Sequence, residues 1–178
     1  MALSPPQRRL SPGPYSRVVP SWSEVEAAAP ELTEKVKERF QSTGLGLLAT
    51  LRADGSPRIS GIEPLFALDE LWLGMMHGSR KATDLLRDPR LALHNATEDK
   101  QVTNGDARIS GRAVEITDPE SFEKFNRAFQ GETGYEPPPP YHLFRVDVTE
   151  LMFLKPGGDH LVIESWRAGE PVKRTERR

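Results

Sequence analysis

The chain contains no cysteine. That absence excludes disulfides, thiolate zinc sites, cysteine-held iron–sulfur clusters and cysteine nucleophiles together. A long hydrophobic run is missing too: nothing approaches the roughly 18 apolar residues of a membrane helix. Met1 to Arg9 carries no apolar stretch behind its charges, so no secretory signal is expected. The expectation is a cytoplasmic protein without a membrane partner. Basic charge is not in excess, since 24 Lys and Arg face 26 Asp and Glu for a formal net charge of -2. A nucleic-acid partner is therefore not expected. The four histidines, His77, His94, His142 and His160, include no pair at the three- or four-residue spacing of a helical metal motif. No metal site is expected. Asn95-Ala96-Thr97 is a formal glycosylation sequon that secretion alone would activate. No serine sits in a nucleophile elbow and no carboxylate pair stands out by its spacing. No catalytic side chain is named, and any reactivity is expected to come with a bound cofactor.

What is present suits one domain, because 178 residues can bury roughly 70% of the unfolded surface. Residues 1–20 hold Pro5, Pro6, Pro12, Pro14 and Pro20, which predict an extended arm. Residues 21–166 form the predicted domain, and residues 167–178 a polar, mobile tail. Ser21-Trp22-Ser23-Glu24 has the form of a capping box opening a short helix. Pro30 suits the first position of a second helix, with Leu32, Val36 and Phe40 as its apolar stripe and Gly44 as its end. Strands are predicted over 47–51, 58–66, 71–75, 91–94, 106–116, 141–148 and 151–154, with a last one possible over 161–166. Asp54-Gly55 marks the first hairpin turn. Interposed helices are predicted over 79–87, capped by Ser79, and from Pro119 through Phe129, with Phe122, Phe125 and Phe129 on one side. The tight turns imply a mainly antiparallel sheet. The missing strand–helix alternation excludes a doubly wound fold, and closure into a barrel would remove the sheet edges.

Gly44-Leu45-Gly46-Leu47-Leu48-Ala49 matches the dinucleotide pattern G-x-G-x-x-A, yet a helix precedes it and a hairpin strand follows. That is the reverse of the strand-to-helix context the motif requires. Ser79-Arg80-Lys81 is the sharper feature. Two adjacent cations at the positive end of a helix repel its dipole unless an anion joins them, and a guanidinium grips phosphate with two donors. Arg58 and Ser60 share one face of the second strand by its period of two. If that face meets the first turn of the Ser79 helix, Arg58 is a third phosphate cation and Ser60 a donor to a ring. His77 lies two residues ahead of Ser79, so it either lines the same pocket or is a surface-loop histidine.

An ordered set of segments then carries a resemblance. It runs from Leu48-Ala49-Thr50-Leu51-x-x-Asp54-Gly55-x-Pro57 to Gly78-Ser79-Arg80-Lys81, then to Leu86-x-x-Asp88-Pro89-Arg90-Leu91-Ala92-Leu93 and Gly111-Arg112-Ala113-x-Glu115. The set resembles the pyridoxamine 5'-phosphate oxidase-like flavin-binding split barrels over about residues 32 to 155. The resemblance implies a mainly β (α+β) fold: a six- or seven-stranded antiparallel split β-barrel with flanking helices. It also implies a homodimer binding FMN or a deazaflavin (coenzyme F-420) at its interface, where hydride is exchanged with a small-molecule substrate. Carried over by position, the phosphate site falls on Ser79, Arg80, Lys81 and Arg58, and the ring contacts near Ile59, Ser60, Met75, Met76 and His77. Trp166 would either stack on the flavin from the partner subunit, as the resemblance implies, or serve as plain packing, the commoner role of a terminal-strand Trp. The oxidase's closing Arg-Leu-His-Asp-Arg type motif is absent, and Glu164-Ser165-Trp166-Arg167 stands there instead. Asp106-Ala107 replaces the Gln that often precedes the Gly111 strand. The vitamin-forming oxidase itself is therefore not expected. The alternative is a carrier or sensor that binds flavin or haem without turnover.

Overall fold

The computed structural model describes residues 19–178. Of the predicted proline-rich arm, Pro5, Pro6, Pro12 and Pro14 lie outside the described residues. Four helices and nine strands follow in order: α1 (Trp22–Ala28), α2 (Pro30–Gln41), β1 (Gly46–Leu51), β2 (Pro57–Ile62), β3 (Pro64–Ala67), β4 (Glu70–Met76), α3 (Arg80–Arg87), β5 (Arg90–Asn95), β6 (Asp106–Ile116), α4 (Pro119–Thr133), β7 (Tyr141–Pro156), β8 (Leu161–Arg167) and β9 (Lys173–Arg177). The local signals that shape the helices act as their chemistry requires. The Ser21–Glu24 capping box is reciprocal, and Pro30 opens α2. Gly44 carries the chain out of α2 with φ +67°, a conformation that costs glycine nothing.

All strand pairs are antiparallel, in the order β2-β1-β5-β6-β7-β4-β3, with β8 and β9 added beside β7. Both ends of the main path meet in sequence at Glu63, between β2 and β3. This is where the expected second strand over 58–66 divides. Pro64 has no donor to continue the β1–β2 ladder, and the chain crosses to pair with β4 instead. The sheet therefore curls into a barrel that is split between β2 and β4. Among the described residues seven strands lie on the main path, and β8 and β9 extend the sheet to nine. The two strands expected over 141–154 are one continuous β7, and the segment expected as a mobile tail contributes β9. Val162 faces Glu176, Glu164 faces Arg174 and Ser165 faces Lys173 across the last hairpin. All five β9 residues are exposed, so no apolar alternation marks the strand and its backbone ladder holds it.

The main core fills the barrel and its contact with α1 and α2, where Trp22, Val25, Leu32, Val36 and Phe40 are buried against Leu48, Leu73, Leu93, Ile109 and Leu151. A second, smaller cluster of Trp72, Phe125 and Leu143 seats α4 on β3, β4 and β7. Gly111 sits opposite a β-bulge in β7, where Thr149 is the extra residue, and a Cβ on Gly111 would collide with the Asp147 carbonyl. Among the described residues no helix is long and apolar enough to cross a membrane.

Candidate functional site

Helix α3 follows β4 through the Gly78 turn, and the Ser79 side chain caps it by accepting from the Ala82 N–H. Its sequence places one buried carboxylate, Asp84, against the inner face of β1 and β2. There Thr50 and Arg58 are cross-strand neighbours. Thr50 Oγ1 donates to Asp84 Oδ2 at 2.9 Å, Arg58 Nε donates to the same oxygen at 2.6 Å, and Arg87 Nη2 donates to Oδ1 at 3.3 Å. Burial pushes the Asp84 carboxyl up. The Arg58, Thr50 and Arg87 hydrogen bonds pull it down further, and the result lies below the usual carboxylate range. Asp84 is thus a fixed anion that aims two guanidinium groups.

Those groups line a basic pocket of about 390 Å³ along the flank of α3. Arg80, Thr83, Asp84 and Arg87 come from one helical face, and Arg52, Asp54 and Arg58 come from the β1–β2 hairpin. Four guanidinium groups face two carboxylates there. Arg52 is turned toward the hairpin, donating to Ser56 Oγ and the Pro57 carbonyl. The Arg80 side chain makes no hydrogen bond or ion pair among the described residues, and the residue is exposed. An anion in this pocket would meet unneutralised positive charge in a fork geometry suited to phosphate.

Lys81 turns the other way. One helical step rotates a side chain by about 100°, so the adjacent cations diverge instead of sharing one anion. Lys81 Nζ donates to the Gly61 carbonyl at 2.6 Å on the β2 edge. Burial holds its ammonium below the usual lysine range, and Glu63 opposes that shift. It lines a groove of about 500 Å³ in the split of the barrel, with Leu47, Gly61, Ile62, Glu63, Gly74, Met75 and Met76. Two mid-strand glycines shape this groove. Gly61 and Gly74 have ordinary extended backbones, and a Cβ built on either meets nothing within 4 Å. Neither turn geometry nor protein packing calls for glycine there. Glycine weakens a strand and commonly marks the close approach of a ligand, and here it leaves a flat floor.

The other predicted positions disperse. Ile59 points to the outer sheet face and is 72% exposed, as its alternation with Arg58 demands. Ser60 shares the inner face with Arg58 but lines neither the basic pocket nor the groove. Met75 is buried and Met76 is 81% exposed, and both line the groove. His77 stacks on His142, with ring centroids 5.2 Å apart. His142 Nε2 accepts from the Gly78 N–H at 3.4 Å, so its Nδ1 carries the proton toward Glu115, 3.2 Å away. Trp166 lies away from both the pocket and the groove. It pairs with Leu151 and is 4% exposed inside the main core, so its indole is packing and not a free stacking face. Of the four residues expected at one phosphate, Arg58 and Arg80 line the basic pocket, Ser79 caps α3 and Lys81 lines the groove. Sequence reasoning did not single out Arg52, Arg87 or Asp84. The spacing of Arg80, Asp84 and Arg87 along one helical face was the available signal, as was a lone glycine within a strand for Gly61 and Gly74.

A family model for pyridoxamine 5'-phosphate oxidase matches residues 32–155, from α2 to the end of β7. No curated protein matches the sequence. Among solved structures, Campylobacter jejuni ChuZ superposes with a TM-score of 0.68 at 16% identity, over 82% of this chain and 63% of that one. This chain thus spans less than two thirds of ChuZ. A Nostoc punctiforme pyridoxamine 5'-phosphate oxidase-related, FMN-binding protein gives 0.61 at 14% identity, over 84% and 96% of the two chains. HutZ, the haem storage protein of Vibrio cholerae, gives 0.54 at 21% identity, over 68% and 89%. At these identities the likenesses establish a shared fold.

Proposed function

The chain belongs to the pyridoxamine 5'-phosphate oxidase family, and from that premise we propose that it binds a phosphorylated flavin and works as a flavin-dependent oxidoreductase. The observation that carries this reading is the Asp84-organised arginine pocket standing beside a groove with a glycine floor. A ribityl phosphate joins a dianion to a flat tricyclic ring, and the two sites offer those two chemistries on either side of the first turn of α3. Arg80, Arg58 and Arg87 would hold the phosphate. Lys81, Gly61, Gly74 and Met76 would hold the ring. The residues fit FMN and a ribityl-phosphate deazaflavin alike. A bound flavin of either kind supplies hydride transfer. The protein's own part is to anchor, orient and cover. The family's FMN-binding neighbour supports the reading.

The groove is open on one side, where Leu47 and Ile59 stand exposed on the outer sheet face beside Met76. Exposed apolar surface of this kind favours a covering partner, and a second copy of the chain is the proposed cover. A symmetric dimer would hold two equivalent sites.

The test is an FMN titration of the purified protein, read by quenching of flavin fluorescence. Wild-type protein is expected to bind. Arg80→Ala is expected to weaken binding by about tenfold to a hundredfold, the range for losing one charge-assisted contact. Unchanged affinity, or a protein that takes up neither FMN nor a deazaflavin, overturns the reading. A second reading is a haem-binding carrier, favoured by His77 beside an apolar cavity and by the likeness to HutZ. A Soret band in the purified protein would select it.

A further inference from the structure

Beyond the groove, between α4 and the β3–β4 edge, lies a cavity of about 320 Å³. That volume is at the small end of ligand sites. Its wall is built of rings: Phe125 and Phe129 from α4, Tyr141 from β7, and Tyr135 with its neighbouring prolines from the loop between them. Phe125 and Phe129 are themselves stacked, 5.5 Å apart. The prolines fix φ and cost little order when a ligand arrives. Glu63, Gly74, Met75 and Met76 line both this cavity and the groove. A molecule held here therefore abuts whatever lies over Gly74.

The charge pattern is the reverse of the basic pocket. Among the described residues no lysine or arginine lines the cavity; its one carboxylate is Glu63 and its one imidazole is His77, stacked on His142. We propose that this cavity binds a flat aromatic molecule carrying a cationic or N–H donor group, and discriminates against aromatic carboxylates and phosphates. Offset or edge contacts with the lining rings hold the flat part, and a cation gains from the ring faces and from Glu63. A carboxylate would face Glu63 with no guanidinium to offset it. Naming this molecule the substrate rests on the flavin reading above. Binding and charge preference do not rest on it.

The test uses two probes of one shape and opposite charge, 1-naphthylmethylamine and 1-naphthoic acid, titrated at neutral pH by naphthyl fluorescence. Flavin-free and FMN-saturated protein are both titrated. The amine is expected to bind tighter than the acid by about fivefold, the scale of one partly solvated charge pair. Glu63→Gln should bring the two affinities together, and Glu63→Lys should invert their order. Glu63 is exposed, so these variants are expected to fold, which circular dichroism checks. Gly74→Val should block both probes, because a side chain there enters the shared floor and meets no protein atom within 4 Å. Equal affinities in wild type, no binding of either probe, or a preference that survives Glu63→Gln overturns the proposal. A protein that prefers the amine but binds no FMN retains this inference and sinks the flavin reading alone. FMN binding with no probe preference does the opposite.

Discussion

Asp84 and Phe125 organise the two sides of this molecule by opposite means. Asp84 is a buried charge satisfied by three donors, and it fixes arginines that would otherwise move freely in solvent. Phe125 is a buried ring against Trp72, with centroids 5.6 Å apart, and it seats the helix that walls the aromatic cavity. The first arrangement depends on ionisation and hydrogen bonding, the second on volume. A basic pocket and an aromatic-walled cavity thus stand within one small barrel, and their linings share no residue.

Three substitutions test whether the two sides stand independently. The largest effect is expected from Phe125→Ala, a loss of about 4 kcal/mol of unfolding free energy, typical of deleting a buried ring. Urea denaturation measures it. Naphthyl binding should fall with it while Arg80-dependent FMN affinity holds, and a parallel loss of both would show the two sides to be one cooperative site.

Next comes Asp84→Asn, expected to cost about 2 to 3 kcal/mol, below the full range for a broken buried pair because Arg87 is partly solvated. Its pH dependence provides the sharper test. The folded carboxyl titrates below its ordinary value, so its stabilisation is complete above about pH 4 and is lost as pH falls through the lower folded value. Wild-type protein should therefore lose stability steeply below about pH 4, and Asp84→Asn should flatten that slope. An unchanged slope would show that the Asp84 carboxylate does not anchor the arginine pocket.

The smallest effect is expected from Ser79→Ala. Losing the α3 cap should cost about 1 kcal/mol, read as a small shift in the urea midpoint. Because the Ser79 hydroxyl is engaged with the Ala82 N–H, FMN affinity should change much less than in Arg80→Ala.

Much of the fold was legible. Ser21 and Glu24, Pro30, Asp54-Gly55, Ser79 and Asp118-Pro119 are local signals, and each acts within a few residues of itself. The strand over 106–116 was legible because its inner residues alternate with outer ones. The C-terminal β9 was not, since all its side chains face water and no pattern records its pairing. Pro64 falls inside an expected strand, although its missing donor marks the point where the chain changes neighbours.

The candidate site was legible as a composition and not as an arrangement. The basic residues that open α3, and the strand residue Arg58 facing it, were visible as a candidate anion-binding set. Their division between two pockets was not. Trp166 shows the same limit, because an aromatic on a terminal strand gives no sign whether it faces a ligand or a core.

The amino-acid order by itself determined the helix ends, the antiparallel character of the sheet, the exclusion of cysteine chemistry and the family. Each of these rests on residue type and short spacing. Only the tertiary structure decided that Arg80 joins Arg58 while Lys81 reaches Gly61, that two strand glycines face one groove, and that the α4 rings enclose a cavity beside it. Those outcomes depend on the rotation of side chains around a helix axis and on which distant strands the barrel brings together, and no local pattern in the chain carries that information.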